Sequence, residues 1–396
     1  MNRREFLSAA TFGAAALACA GPEPDVYARG ITITGVEVFP LRVNEVGPWV
    51  VIRVQTSVGL TGLGDASHSG RDDPSIAKVK EYVERIQGWS VFDLEKIKQE
   101  FSPEWEQFRR ATSCAWSAIE QALFDIQGQA LGVPCYELFG GKLFDQVRNY
   151  ANINRGTRDR TPAGFVKNAE SAVEYGFDAL KMASFDGMPR NGTTAEREAH
   201  IQLGFDCARA VREVLGPDRD LLIDAHNQFS KEEGIALMQR LEPLRLYWLE
   251  EISRPYELMT YYTANSLMPI AGGESLYMLD QFAPYILQRC AHILMPDVKY
   301  CGGMRELKRI SVLGETEAMQ TSPHGPATPI GNMSAAHVCV TMKHFGVLEF
   351  SHSDAPWRTE LVDPPEPMAN GRLTVPDTPG LGYKLNEKTI KDRLLA

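Results

Sequence analysis

The stretch Leu221-Leu222-Ile223-Asp224-Ala225-His226 runs three apolar residues into an acid and an imidazole. In an extended chain residues i and i+2 point to the same side, so the spacing predicts that Asp224 and His226 look into one space. The pattern recurs along the chain. Further short apolar runs end at Lys181, Glu250, Glu274, Asp297, His324 and Glu349. Asp224, Glu250 and Glu274 follow one another at intervals of 26 and 24 residues. Carboxylates converging from neighbouring strands repel one another unless they share a cation. Their hard oxygens suit one octahedral divalent ion, Mg2+ foremost, with positions left for water and a chelating substrate. Glu251 is expected on the opposite face from Glu250, as a structural residue.

Such residues need a frame that gathers strand ends. From about Val147 short strands alternate with helical stretches: "VRNYANI", "ALKMAS", "LLIDAHN", "LYWLEE", "PIAGGES", "HILMPDV", "QTSPH" and "GVLEFSHS". Alternation of this kind predicts parallel strands joined by crossover helices. Eight of them predict a closed α/β barrel of the TIM type, whose C-terminal strand ends share one mouth, although no eighth helix is evident. Residues 31–146 read as an α+β domain. Strand patterns come first, then the amphipathic "CAWSAIEQALFDIQGQALG", which ends at Gly132 with Pro134 forbidding its resumption. The barrel is expected over 147–354. Residues 355–396, with six prolines, are expected to pack back on the first domain.

A formal net charge of −10 argues against a nucleic-acid surface. It leaves room for an anionic small molecule, since a bound cation reverses the sign locally. Residues 1–30 have another character. Arg3 and Arg4 precede an Ala-rich apolar run too short to span a bilayer, the pattern of a twin-arginine export signal. Ala18-Cys19-Ala20 offers a cleavage site with a start near Gly21, and Cys19 offers lipidation as the alternative. A periplasmic or other extracytoplasmic location follows as an expectation. The remaining cysteines, scattered and without metal spacing, are expected to be buried free thiols.

The motifs "SAIEQALFDIQGQALGVPCYELFGG", "YWLEEISRP", "PIAGGES", "MPDVKYCGG" and "SPHGP" together resemble the enolase superfamily, in its mandelate racemase/muconate lactonizing enzyme-like group. The site pattern is closest to the acid-sugar, galactonate-type dehydratases. The resemblance implies a capping domain over a modified (β/α)7β barrel, which accounts for the missing helix. It implies abstraction of a proton next to a carboxylate, with Mg2+ held by Asp224, Glu250 and Glu274. His324 would be the base, oriented by Asp297. Glu349 would donate a hydrogen bond to the substrate carboxylate, which requires it to be protonated. His226 would protonate a departing 3-hydroxyl.

The resemblance departs at Lys181-Met182-Ala183, where many relatives carry a second lysine as a base; Lys181 is left to hold the substrate carboxylate or to neutralise the acidic mouth. Asn227 stands where these dehydratases often have glycine. The expected activity is that of a lyase, a sugar-acid dehydratase giving a 2-keto-3-deoxy acid. A racemase or epimerase using His324 and His226 on opposite faces is the alternative. A non-enzymatic binding protein would need a lost ligand or base, and none is lost. Sugar-acid catabolism is usually intracellular, so export implies a larger glycan-derived acid. Substrate contacts are expected from His68 and Arg71, and from Asn154 and Arg155. The chain is expected to form a homo-oligomer.

Overall fold

A computed structural model describes residues 30–44, 47–68, 72–105 and 110–395. The expected export signal, with Arg3, Arg4 and Cys19, lies outside the described residues, as does Arg71. Strands β1 (Ile33–Asn44), β2 (Gly47–Thr56) and β3 (Thr61–Asp65) form an antiparallel meander with β2 central. Helices α1 (Asp73–Arg85), α2 (Leu94–Phe101) and α3 (Arg110–Leu131) follow. α3 is buried without a break from Thr112 to Gly128. Its outer side reaches the sheet through two glycines. A Cβ at Gly62 or Gly64 would lie 2.0 Å from the carbonyl oxygen of Ala122 or Ala118, so strand and helix backbones touch directly.

The parallel strands are β4 (Gln146–Asn152), β5 (Ala179–Met182), β6 (Asp220–Asp224), β7 (Trp248–Glu250), β8 (Ile270–Gly272), β9 (Ile293–Leu294), β10 (Gln320–Thr321) and β11 (Leu348–Ser351). They pair in order from β4 to β10, and β11 pairs back on β4. Between β10 and β11 the wall closes through the parallel bridge of Thr321 and Phe345. Seven helices connect them: α4 (Pro162–Glu174), α5 (Thr194–Leu215), α6 (Lys231–Leu241), α7 (Tyr256–Asn265), α8 (Met278–Leu287), α9 (Met304–Thr316) and α10 (Pro329–Cys339). After β11 the described chain continues with one turn of 3-10 helix, Arg358–Glu360. The fold is therefore a (β/α)7β barrel with an N-terminal α+β cap.

The period of two along each strand sets the height of the chemistry. Tyr150, Ala179, Leu222, Trp248, Ala271, Ile293 and Val347 form one buried layer inside the barrel. Two residues on, the same inward face carries Asn152, Lys181, Asp224, Glu250 and Glu349. An apolar floor thus lies directly under a polar layer.

Two buried carboxylates of the cap hold barrel helices by their N-termini. Glu120 of α3 accepts from the N–H groups of Met304 and Arg305 at 2.7 and 2.9 Å, at the start of α9. Asp65 at the end of β3 accepts from Thr328 N–H at 2.8 Å, at the start of α10. Both sit where unpaired N–H groups and the helix dipole favour a negative charge. The second contact pins the loop that carries His324.

The C-terminal residues pair first with the barrel, through β12 (Arg372–Thr374) antiparallel to β4, and then reach the cap. There the segment after α11 (Glu387–Arg393) bridges β1 at Leu41 and Leu394. Cys114, Cys135, Cys207, Cys290, Cys301 and Cys339 are all buried and free. Among the described residues no helix is long and apolar enough to cross a membrane.

Candidate active site

Asp224 and Glu250 end adjacent strands in direct register. Glu274 follows Gly273, whose φ of 107° turns the chain as it leaves β8. Their ligand atoms lie within 4.8 Å of one another. Three clustered carboxylates fit a hard divalent cation. Glu250 has its Oε2 fixed by Trp248 Nε1–H at 3.0 Å, while the buried Glu274 Oε2 makes no hydrogen bond. Burial and the neighbouring Asp224 push Glu250 well above the usual carboxylate range, which is the repulsion a shared cation would relieve.

Lys181 is buried among these acids, with Nζ 3.0 Å from Glu250, 3.4 Å from Glu349 and 3.7 Å from Asp224. Burial opposes its charge, but Glu250 and Glu349 outweigh that and raise it well above the ordinary lysine value. It stands as a fixed cation. Ala183, where the resemblance places a second lysine, offers only its carbonyl, which accepts from Arg160 Nη2 at 2.5 Å.

Glu349, expected as a protonated donor, is surrounded here by donors. Its carboxylate accepts from Tyr150 Oη–H at 2.8 Å, Asn152 Nδ2 at 2.5 Å and Gly325 N–H at 3.0 Å. Burial opposes ionisation, yet the charges of Lys181 and His324 and these hydrogen bonds hold it far below the usual range. These contacts tie Glu349 to Lys181 and to the loop after β10.

His324 follows β10 with Nδ1 2.8 Å from Asp297 Oδ2 and Nε2 3.2 Å from Glu274 Oε2. Burial disfavours its cation, but Glu274, Glu349 and Asp297 together raise its pKa. Asp297 has a second partner in the fully buried Lys299, whose Nζ lies at 3.4 Å and whose N–H donates to Oδ1 at 2.8 Å. Burial opposes the charge on Asp297, and Lys299 and His324 hold it below the carboxylate range.

His226 reaches the same cavity by a route other than the expected one. The strand ends at Asp224, and His226 and Asn227 have φ of 46° and 55°, so the i, i+2 rule does not place the imidazole. A left-handed turn does. Its N–H donates to Asp224 Oδ1 at 2.9 Å, and Asn227 is held by Glu251 through N–H to O at 2.7 Å and Nδ2 to Oε2 at 2.6 Å. Glu251 also accepts from Gly273 N–H at 3.1 Å, so it ties two loops together. The His226 ring lies with Nε2 3.0 Å from Asp224 Oδ2 and Nδ1 2.5 Å from Asp186 Oδ1. Asp224's charge, against the cost of burial and with the help of Asp186, pushes its pKa up to about 12.

Lys181, Asp224, Glu274, His226 and His324 all line one cavity of about 290 Å³. Arg110, Asn154, Arg155 and Tyr300 line it too. Arg155 is paired with Asp354 at 2.8 Å, and Asn154 is tied to Asp186 and Arg160. His68 is buried with its ring edge toward Tyr300. Asp186, Lys299, Arg110 and Tyr300 were not legible as site residues. Lys299 carried one signal, its place two residues after Asp297. Asp186, in an irregular loop, carried none.

Residues 39–140 match the family described as Mandelate racemase / muconate lactonizing enzyme, N-terminal domain. Residues 164–389 match Enolase C-terminal domain-like. The chain belongs to this family of the enolase superfamily. It is 28% identical over 360 residues to the D-xylonate dehydratase of Haloferax volcanii, covering 88% of this chain and 86% of that one. It is 30% identical over 351 residues to the D-gluconate dehydratase of Thermoproteus tenax, covering 86% and 69%. The crystal structure of a mandelate racemase/muconate lactonizing enzyme-like protein from Rubrobacter xylanophilus superposes with a TM-score of 0.84 at 30% identity, over 93% of this chain and 98% of that one.

These relatives correct the expected location. Export implied a larger glycan-derived acid, whereas these dehydratases are named for single sugar acids, the class tied above to intracellular catabolism. The extracytoplasmic location does not stand, and with it goes the lipid anchor at Cys19.

Proposed function

We propose that the chain is a magnesium-dependent dehydratase, a hydro-lyase that converts a sugar acid to its 2-keto-3-deoxy product. The observation that carries this reading is the pair of histidines at the two ends of the carboxylate triad. His226 Nε2 lies against Asp224 and His324 Nε2 against Glu274, in one cavity. Asp224, Glu250 and Glu274 would hold the ion. When bound, it supplies the positive charge that makes the α-proton of a carboxylate removable. Lys181, buried beside the same acids, adds a second fixed positive charge.

His324 takes the C2 proton at Nε2, with Asp297 on Nδ1 holding the ring and favouring its cation. The C2–H electron pair moves first onto the carboxylate and then returns to form the C2=C3 bond, as the C3–O pair leaves on oxygen. His226 delivers a proton from Nε2 to that oxygen, which departs as water. The enol left behind takes a proton at C3 and loses one from its 2-hydroxyl, giving the ketone. In this reading residues 31–146 cap the mouth, 147–354 carry the chemistry and 355–396 tie the two together.

The names of the relatives support a sugar acid as substrate. The test is a panel of aldonic, uronic and aldaric acids with magnesium, scored for 2-keto-3-deoxy product. Dehydration of at least one is expected. Inversion at C2 with no elimination across the panel would replace this reading with a racemase or epimerase.

A further inference from the structure

His226 and His324 are held alike. Each has a carboxylate on Nδ1, and each turns Nε2 toward an outer member of the acidic triad. The partner of His324 comes from the next strand loop back, Asp297. That of His226 is Asp186, 40 residues earlier in the loop after β5.

The orientation of Asp186 is set from the two neighbouring loops. Oδ2 faces Asn154 Nδ2 at 3.1 Å and Arg160 Nη2 at 3.4 Å, both from the loop after β4. Oδ1 receives His226 Nδ1 at 2.5 Å and Gln228 Nε2 at 3.3 Å, both from the loop after β6. Arg160 is itself anchored on Asn154 Oδ1 at 2.6 Å and on the Ala183 carbonyl. The backbone at His226 and Asn227 is left-handed, a conformation costly for non-glycine residues and one that persists only when the surroundings enforce it. Downstream, Ser230 and Glu233 cap α6 reciprocally and fix the far end of the loop.

We infer that Asp186 is the positioning residue of His226, holding the imidazole by Nδ1 so that Nε2 faces the C3 oxygen of the substrate. The assignment rests on the dehydratase reading above. An imidazole free to turn about its side-chain bonds would present Nε2 only part of the time. A carboxylate on Nδ1 fixes the orientation of the ring and keeps a proton on Nδ1. Asp186 touches no reacting atom, so its loss should affect the leaving-group step alone.

The test uses Asp186→Asn, with Asp186→Ser alongside it so that a misfolded first variant does not decide the matter. Three rates are read on a sugar acid that the wild type dehydrates: water loss, exchange of the C2 hydrogen in D2O, and fluoride loss from the 3-deoxy-3-fluoro analogue. Water loss should fall about 10²-fold, while exchange and fluoride loss stay within about threefold of wild type, because fluoride needs no proton to leave. Undiminished water loss overturns the inference. So does a parallel fall in all three rates, which marks a structural role. Should the wild type dehydrate nothing, the dehydratase reading fails by itself. The 15N resonances of His226 then decide the positioning: Nδ1 and Nε2 signals changed by Asp186→Asn support it, and unchanged signals overturn it.

Discussion

Two histidines flank the acidic triad, each braced by an aspartate, and their surroundings differ. The His324 side chain is 12% exposed, and Asp297 is fully buried beside the buried Lys299. The His226 side chain is 37% exposed, and Asp186 is 30% exposed with Arg160 on its outer side. His226 also borders a second, open cavity of about 590 Å³ that includes Arg190 and Arg254. A group that must take a proton from carbon works best where water cannot compete for it. A group that expels water works beside a route by which the water can leave. Under the proposed roles, the same two-residue device would serve one task in a dry wall and the other in a wet one.

The largest expected effect silences both sides at once. Thorough chelation should abolish water loss and C2 exchange together, and magnesium should restore both; persistence of either in metal-free protein would break the symmetry and the family chemistry with it. Next comes the base. His324→Asn should lower exchange and water loss together by about 10²–10⁴-fold, the usual scale for a general acid–base group. His226→Asn should lower water loss by a similar factor of about 10²–10⁴ while exchange survives, provided proton abstraction is reversible. If the fluoro analogue rescues His324→Asn and not His226→Asn, the two roles are exchanged.

Smaller effects probe the supports. Lys299→Met strips a buried cation from a buried carboxylate and should cost about 3–5 kcal/mol in denaturant unfolding. Arg160→Met, on the open side, removes a guanidinium whose side chain is 32% exposed and should cost no more than about 2 kcal/mol. Equal costs would show that the dry and wet walls are not energetically distinct.

A third histidine calibrates these two. His337 in α10 has no acid beside it; its Nδ1 accepts from Tyr136 N–H at 3.3 Å and Nε2 faces the Leu381 carbonyl at 3.4 Å, the pattern of a neutral ring. Burial pushes its pKa down to about 4 from an ordinary 6.5. Between those values the unfolded chain binds the proton and the folded one does not. Stability is therefore full above pH 6.5 and falls with acidification down to about pH 4, by about 3 kcal/mol from this residue. His337→Gln should flatten that part of a stability-against-pH curve. An unchanged slope would assign the loss to other groups.

Much of the frame was legible because it rests on local periods. Alternating strands and helices announced the barrel, and the period of two placed Lys181, Asp224, Glu250 and Glu349 one step above an apolar layer. His226 was legible as a residue and illegible as a geometry, since the i, i+2 rule holds for extended backbone and the chain here turns left-handed. The surroundings of Glu349 were beyond the sequence for a related reason. They include Lys181 and Tyr150, brought in from other strands.

The sequence by itself determined where the barrel strands end, because strand ends are set by apolar runs a few residues long. Only the tertiary structure decided what each side chain at those ends could do. Asp186 reaches His226 across 40 residues, and Asp65 and Glu120 of the cap hold the barrel helices behind the active-site loops. Protonation, orientation and dryness follow from such neighbours. Coulomb and desolvation energies depend on distance and burial, and separation along the chain fixes neither.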